Sequence, residues 1–359
     1  MRPIDVVTRL RIVQIVPAPP ELPESIILGQ FTGMKNTVSA ERLGPGDLER
    51  AINVDIDDAG QLRRRRGYTR KIEGPFHSLR TIAGKVLVVG GGQLGRVRED
   101  YSFTPIAEVG PGRVAYAEVN GEVYFCNDAA SGVIAADDSV QPWGKTDGQG
   151  LWLSPLTDPT EHVGAVAGQL LGDPIRASCI ESFKGRIYLA GGKTLWATEL
   201  YLYHFINRTR GFMQFEHEIT LVMAVDNGLY IGTTGGLYFV QGVFGQFKLS
   251  HINSDAVLPG SGQYVSAELV HPQARNQPMP TGSAAVFMTS CGIVAGFDNG
   301  TCFNLTYGSM IFPAANSAAS LFRQDQGANS YIAAVDSAGG PSSTARIGDY
   351  VDAEIVRRT

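Results

Sequence analysis

Gly228-Leu-Tyr-Ile-Gly-Thr-Thr-Gly-Gly236-Leu-Tyr-Phe-Val240 holds two short runs of strand-forming residues on either side of a Thr/Gly turn. β-branched and aromatic residues bounded by glycines read as a tight β-hairpin. The same unit recurs along the chain. Gly84-Lys-Val-Leu-Val-Val89 returns through Gly95-Arg-Val97, Gly121-Glu-Val-Tyr-Phe-Cys126 through Gly132-Val-Ile134, and Gly185-Arg-Ile-Tyr-Leu-Ala190 through Thr194-Leu-Trp196. The last copy, Gly292-Ile-Val-Ala-Gly296, returns through Gly300-Thr-Cys-Phe-Asn-Leu305. A self-similar strand unit settles the fold class before any motif is weighed: all-β and β-propeller-like, with five or six blades of antiparallel strands.

The leading glycines, 84, 121, 185, 228 and 292, are separated by 37, 64, 43 and 64 residues. The two shorter spacings approach a four-stranded blade of roughly 40–50 residues. The two longer ones require insertions, placed at about 144–172 and 253–282, where Pro, Gly and Asp accumulate. Such rim loops are where interaction surfaces tend to sit. Helical periodicity is poor, with short helices conceivable only at 198–206 and within 160–171.

Ahead of the repeats, residues 1–25 read as an extended N-terminal arm. Leu10 and Ile12 lie in its strand-like segment, and Pro17, Pro19, Pro20 and Pro23 stiffen the residues after it. The arm is either a strand donor to a neighbour or a loosely packed terminus. Residues 26–75 form a hairpin block, with Asp58-Ala-Gly60 as its turn. The propeller-like body takes 76–359, and its last strands, 330–335 and 350–356, are expected to join residues 51–72 in a closing blade. A structure with these first and last strands in different sheets excludes that closure.

Composition narrows the function classes. Among 359 residues, 43 are glycine, 18 % are charged and 43 % are hydrophobic, and the net charge is −5. That balance suits an all-β assembly subunit and provides no global attraction to nucleic acid or anionic membranes. Cys126, Cys179, Cys291 and Cys302 show no C-x-x-C spacing, so buried reduced thiols are expected, with Cys302 opposite Phe297. Arg2, Arg9 and Arg11 interrupt any signal-peptide core, and no apolar run approaches the ~18 residues of a membrane span.

Candidate chemistry is sparse. Gly90-Gly-Gly92-Gln-Leu-Gly95 matches G-x-G-x-x-G, but residues 96–105 have no helical face on which a pyrophosphate could sit, so a hairpin turn is expected. Asp55-Ile-Asp57-Asp58-Ala-Gly60 lacks two ligand positions of a calcium loop and reads as an Asx turn. In Arg63-Arg64-Arg65-Arg66, strand alternation sends only two side chains each way, so ion pairs to acidic surfaces, within the chain or across a subunit interface, are expected and direct DNA contact is not. The six histidines show no zinc spacing, and G-x-S-x-G is missing. No cofactor, metal or catalytic residue is expected.

The stretch Gly33-Met-Lys-Asn-Thr37, then Glu41-Arg-Leu-Gly-Pro-Gly-Asp-Leu48, and Ala51-Ile-Asn-Val-Asp-Ile-Asp-Asp-Ala-Gly60-Gln-Leu-Arg-Arg-Arg-Arg-Gly67-Tyr68 resembles the opening of tailed-bacteriophage virion proteins that run into a β-propeller. Residues 228–242 and 292–334 are similar to the same group. The resemblance implies a non-enzymatic virion component of the tail or head–tail junction: a nozzle, stopper or fibre platform, made in the host cytoplasm. It would form a homo-oligomeric ring and meet other virion proteins, with no membrane partner. Leu10, Ile12, Arg63, Arg64, Arg65, Arg66, Trp143 and Trp152 are the candidate interface residues. The alternative is a carbohydrate- or receptor-binding, even glycan-hydrolysing, propeller acting through rim aromatics Trp143 and Trp152.

Overall fold

A computed structural model describes residues 29–57, 59–144, 171–270, 281–325, 328–337 and 353–356. Within them the chain is an all-β, five-bladed propeller of antiparallel sheets. The first blade runs Phe76–Ile82, Lys85–Gly90, Gln93–Val97 and Phe103–Glu108. The second runs Ala115–Val119, Glu122–Cys126, Ser131–Ile134 and Val140–Gln141. The third is built on Cys179–Phe183, Arg186–Gly191, Thr194–Glu199 and Leu202–Asn207, with Leu171–Gly172 and Phe212–Gln214 added at its outer side. The fourth comprises Ile219–Val225, Gly228–Thr233, Gly236–Gln241 and Lys248–Asn253. The fifth comprises Gln263–Ser266, Ser283–Thr289, Gly292–Gly296 and Cys302–Asn304. A three-stranded sheet, Ala315–Asp325, Ala328–Ser337 and Ala353–Val356, packs beside the fifth blade.

Local chemistry explains the hairpins. Ala83-Gly84, Asn120-Gly121 and Lys184-Gly185 each hold two successive positive φ angles, the type I′ geometry whose twist matches paired strands. Gly91-Gly92 does the same between the second and third strands of the first blade, so the G-x-G-x-x-G match is a hairpin turn, as its context implied. Thr233 and Thr289 close equivalent turns: each hydroxyl donates to the carbonyl three residues on, Gly236 and Gly292, and accepts the N–H two residues on.

That equivalence shifts one repeat. Gly292 opens a third strand and corresponds to Gly236, not Gly228, because residues 267–282 separate the first two strands of the fifth blade. Two further expectations change. Residues 198–206 form a strand end, a turn at Leu200-Tyr201 and a second strand instead of a helix, and Cys302 faces Gly296 instead of Phe297.

The core is divided into wedges between consecutive sheets. Leu87, Val89 and Leu94 meet Tyr116, Val123 and Phe125 between the first two blades. Tyr124, Trp143, Ile187 and Leu189 fill the second wedge. Tyr188, Leu195, Leu229 and Ile231 fill the third, and Met223, Tyr230, Phe287 and Val294 the fourth. A last wedge joins Val286 and Ile293 to Tyr331 and Ala333. Each blade buries both faces, which explains the strands' continuous apolar runs.

The expected closing blade does not form. Val54–Ile56 and Leu62–Arg64 make their own two-stranded sheet, separate from the sheet holding Ala353–Val356. The block is instead fastened by side chains. The Asp55 carboxylate receives Arg65 Nε and Arg323 Nη2, both at 2.8 Å. Asn36 exchanges two hydrogen bonds with the Ile311 backbone, while its own N–H donates to the Ser309 carbonyl.

Candidate functional site

The innermost strands of the blades surround the propeller axis, and three side chains from three blades meet there. Glu181 lies midway along Cys179–Phe183, Arg80 comes from Phe76–Ile82, and Tyr264 from Gln263–Ser266. The Tyr264 hydroxyl donates to Glu181 Oε2 and accepts the Ala224 N–H at 2.9 Å, so the fourth blade takes part through its backbone. Glu181 Oε1 accepts the Ser182 N–H at 3.0 Å. The Arg80 guanidinium stacks over the Tyr264 ring, 5.7 Å from its centroid.

These groups border a pocket of about 350 Å³, open to solvent and lined by Arg80, Thr81, Tyr116, Glu118, Glu181 and Ser182 among others. It lies toward the axial mouth where the Ala83-Gly84, Asn120-Gly121 and Lys184-Gly185 turns stand. The Ala83 N–H donates to Glu118 Oε2 at 3.1 Å, linking the first two blades there. Toward the opposite end, Arg113 spans the axis and donates to the Ala318 carbonyl at 3.0 Å. Gly260 admits it: φ there is +76°, and a Cβ would collide with the guanidinium.

Burial raises the Glu181 carboxyl to about 7, against the opposing hydrogen bond from Tyr264 and the positive charge of Arg80. The pocket therefore holds a carboxyl able to change charge near neutrality. The thiols are chemically quiet, because burial pushes Cys126, Cys179 and Cys302 each up to about 11. All four cysteines are free, and Cys291 is exposed, not buried as expected. Among the described residues no group of three or more His, Cys, Asp or Glu is placed to hold a metal, and no helix is long and apolar enough to cross a membrane.

The sequence-derived candidates lie elsewhere. Leu10, Ile12 and Trp152 fall outside the described residues. Arg63 and Arg65 point to one side of the hairpin and pair with Asp57 and Asp55 within the chain, while Arg63, Arg64 and Arg66 are exposed at the surface. Asp57 Oδ1 accepts the Ala59 and Gln61 N–H groups, the Asx turn in place of a calcium loop. Trp143 is only 5 % exposed, and its indole N–H donates to the Tyr203 carbonyl at 2.8 Å. It anchors an inter-blade wedge and offers no face to a sugar. Arg80, Glu181 and Tyr264 carry no motif. Their only sequence signal is a charge inside the otherwise uncharged strand Cys-Ile-Glu181-Ser-Phe.

No family model matches the chain, and no curated protein matches it. Among solved structures, the extracellular domain of a hybrid two component system from B. thetaiotaomicron is similar at 11 % identity and a TM-score of 0.46, over 84 % of this chain and 35 % of that one. The AfRom2 CNH domain is similar at 9 % identity and a TM-score of 0.40, over 79 % of this chain and 82 % of that one. The N-terminal domain of Nup159 is similar at 8 % identity and a TM-score of 0.38, over 70 % of each chain. The chain thus spans about a third of the first of these proteins. The propeller assignment stands on the sheet topology above.

Proposed function

We propose that the protein is a non-enzymatic structural subunit of a bacteriophage tail or head–tail junction, an assembly scaffold working through its surfaces. One observation carries this reading. Large apolar side chains stand more than half exposed on the N-terminal block and on the segment it grips: Ile52 at 58 %, Tyr68 at 74 %, Tyr307 at 86 % and Ile311 at 66 %. Exposed apolar and aromatic residues of this size favour a protein partner. The block also contains residues that resemble phage virion proteins, and Asp55 ties it to Arg323 of the last sheet.

Native mass spectrometry of the purified chain tests the scaffold, with a ring-sized homo-oligomer expected and Tyr68→Glu with Ile311→Glu reducing it to monomer. Mass spectrometry of purified particles tests the setting, with the chain expected at a fixed number of copies per tail. A monomer at every concentration, together with absence from particles, removes the reading. So does hydrolysis of a host polysaccharide by the isolated chain.

A further inference from the structure

We propose that the axial pocket binds a small, polar, carboxylate-bearing molecule, its carboxylate on Arg80 and its neutral hydroxyl groups on Thr81 and Ser182. Several arginines of the molecule are paired with acids, and Arg113 instead donates to the Ala318 carbonyl. Arg63, Arg65, Arg96, Arg186 and Arg323 each have a carboxylate within ion-pair distance. Half-buried Arg80 has none among the described residues, although Glu181 is close enough to feel its charge. Glu181 is held away by its own partners, with Oε1 on the Ser182 N–H and Oε2 on the Tyr264 hydroxyl. Tyr264 supports the guanidinium from one face, leaving the edge donors available. A planar fork of N–H groups in a recess matches a carboxylate in a bidentate arrangement. At about 350 Å³ the pocket falls at the lower end of the roughly 300–1,000 Å³ range of small-molecule sites, and its lining is mainly polar.

Binding is linked to pH. A ligand carboxylate on Arg80 lies beside Glu181, so it is favoured while Glu181 is protonated and opposed once Glu181 ionises. The groups facing Glu181 are Arg80 from the first blade, Glu118 across the pocket from the second and Tyr264 from the fifth, with the Ala224 N–H behind Tyr264. Burial raises the Glu181 carboxyl to about 7, so affinity declines as pH rises through neutrality.

Calorimetric titration of the full chain with D-glucuronate, with D-glucose as the neutral control, tests the proposal. Glucuronate is expected to bind at pH 5.5, at least roughly tenfold tighter than glucose, and to weaken roughly tenfold by pH 8.5. Arg80→Met is expected to lose roughly tenfold or more, and Glu181→Gln to keep binding but flatten its pH dependence. If Arg80→Met does not fold, Arg80→Lys serves, because it keeps the charge without the fork and is expected to bind more weakly. An oligosaccharide ending in glucuronate separates a free acid from a polymer end: tighter binding than the monomer assigns the polymer, and equal or weaker binding the free acid. Failure of both to bind, equal affinity for glucose, or undiminished binding by Arg80→Met overturns the proposal. Unchanged pH dependence in Glu181→Gln overturns the linkage. None of these outcomes bears on the oligomer and particle measurements, so the scaffold reading stands or falls separately.

Discussion

Tyr116 shows how a propeller wedge tolerates one flaw. Its ring fills the space between the first two blades, and its buried hydroxyl has no hydrogen-bond partner among the described residues. Desolvating a hydroxyl without compensation costs roughly 1–3 kcal/mol. Tyr116→Phe keeps the ring and removes that cost, so chemical denaturation is expected to show a gain of about 1 kcal/mol. Glu181 has the opposite logic. Its folded-state value of about 7 exceeds the ordinary 4.5, so the native state favours the proton. That contribution is complete below pH 4.5 and disappears as pH rises through 7. At 1.36 kcal/mol per unit the loss is about 3 kcal/mol. Glu181→Gln cannot ionise, so its unfolding free energy is expected to stay level relative to the parent between pH 5 and 8. A parallel decline in both proteins contradicts this account.

The N-terminal hairpin shows at the scale of elements how a short piece of sheet is held without strand pairing. Its strands, Val54–Ile56 and Leu62–Arg64, are three residues each, too few to persist alone. Asp55 ties Arg65 of the same block to Arg323 of the last sheet, all three side chains largely buried. Burial raises the Asp55 carboxyl, but the hydrogen bonds from Arg65 and Arg323 outweigh it and hold it below the ordinary carboxylate range. The clamp is therefore present at neutral pH and is lost in acid as pH falls through that lowered value. Asp55→Asn is expected to cost about 2 kcal/mol at pH 7 and progressively less as pH falls below the ordinary carboxylate range. A double-mutant cycle with Arg323→Met is expected to show coupling of roughly 0.5–3 kcal/mol. Additive losses would mean the block is held by its other contacts, at Asn36 and Thr37.

The whole molecule is a ring of wedges, and strain in one is shared by the others. Phe287 is fully buried between the fourth and fifth blades, whereas Trp143 and Trp196 report from the wedge between the second and third. Phe287→Ala is expected to cost about 3–5 kcal/mol through lost burial and an unfilled cavity. If the propeller unfolds as one unit, tryptophan fluorescence and far-ultraviolet circular dichroism shift to the same lower denaturant midpoint. A fluorescence midpoint that stays in place would show blades unfolding separately. Polar contacts also join parts of the molecule far apart in the chain: Arg113 to Ala318, Arg80 over Tyr264 and, from the N-terminal block, Asp55 to Arg323.

Hairpins were legible in the chain because two-residue turns and alternating strand formers act over a few neighbours. Asn120-Gly121 states its turn locally, and Asp57 caps its own loop. Asn207, Asn299 and Asn304 likewise act locally, since each side-chain oxygen accepts the N–H two residues on. What spacing could not convey is which strand of a blade each copy supplies. Insertions leave turn chemistry unchanged, so Gly292 looked like Gly228 although its turn matches that of Gly236. The axial site was illegible for a related reason. Arg80, Glu181 and Tyr264 are far apart in the chain, and only closure of the blades around one axis brings their charges together. Short-range backbone preference was enough for the hairpins and the all-β class, and left the number of blades at five or six. The pocket and the clamp required the long-range packing that sets which side chains share a low-dielectric space.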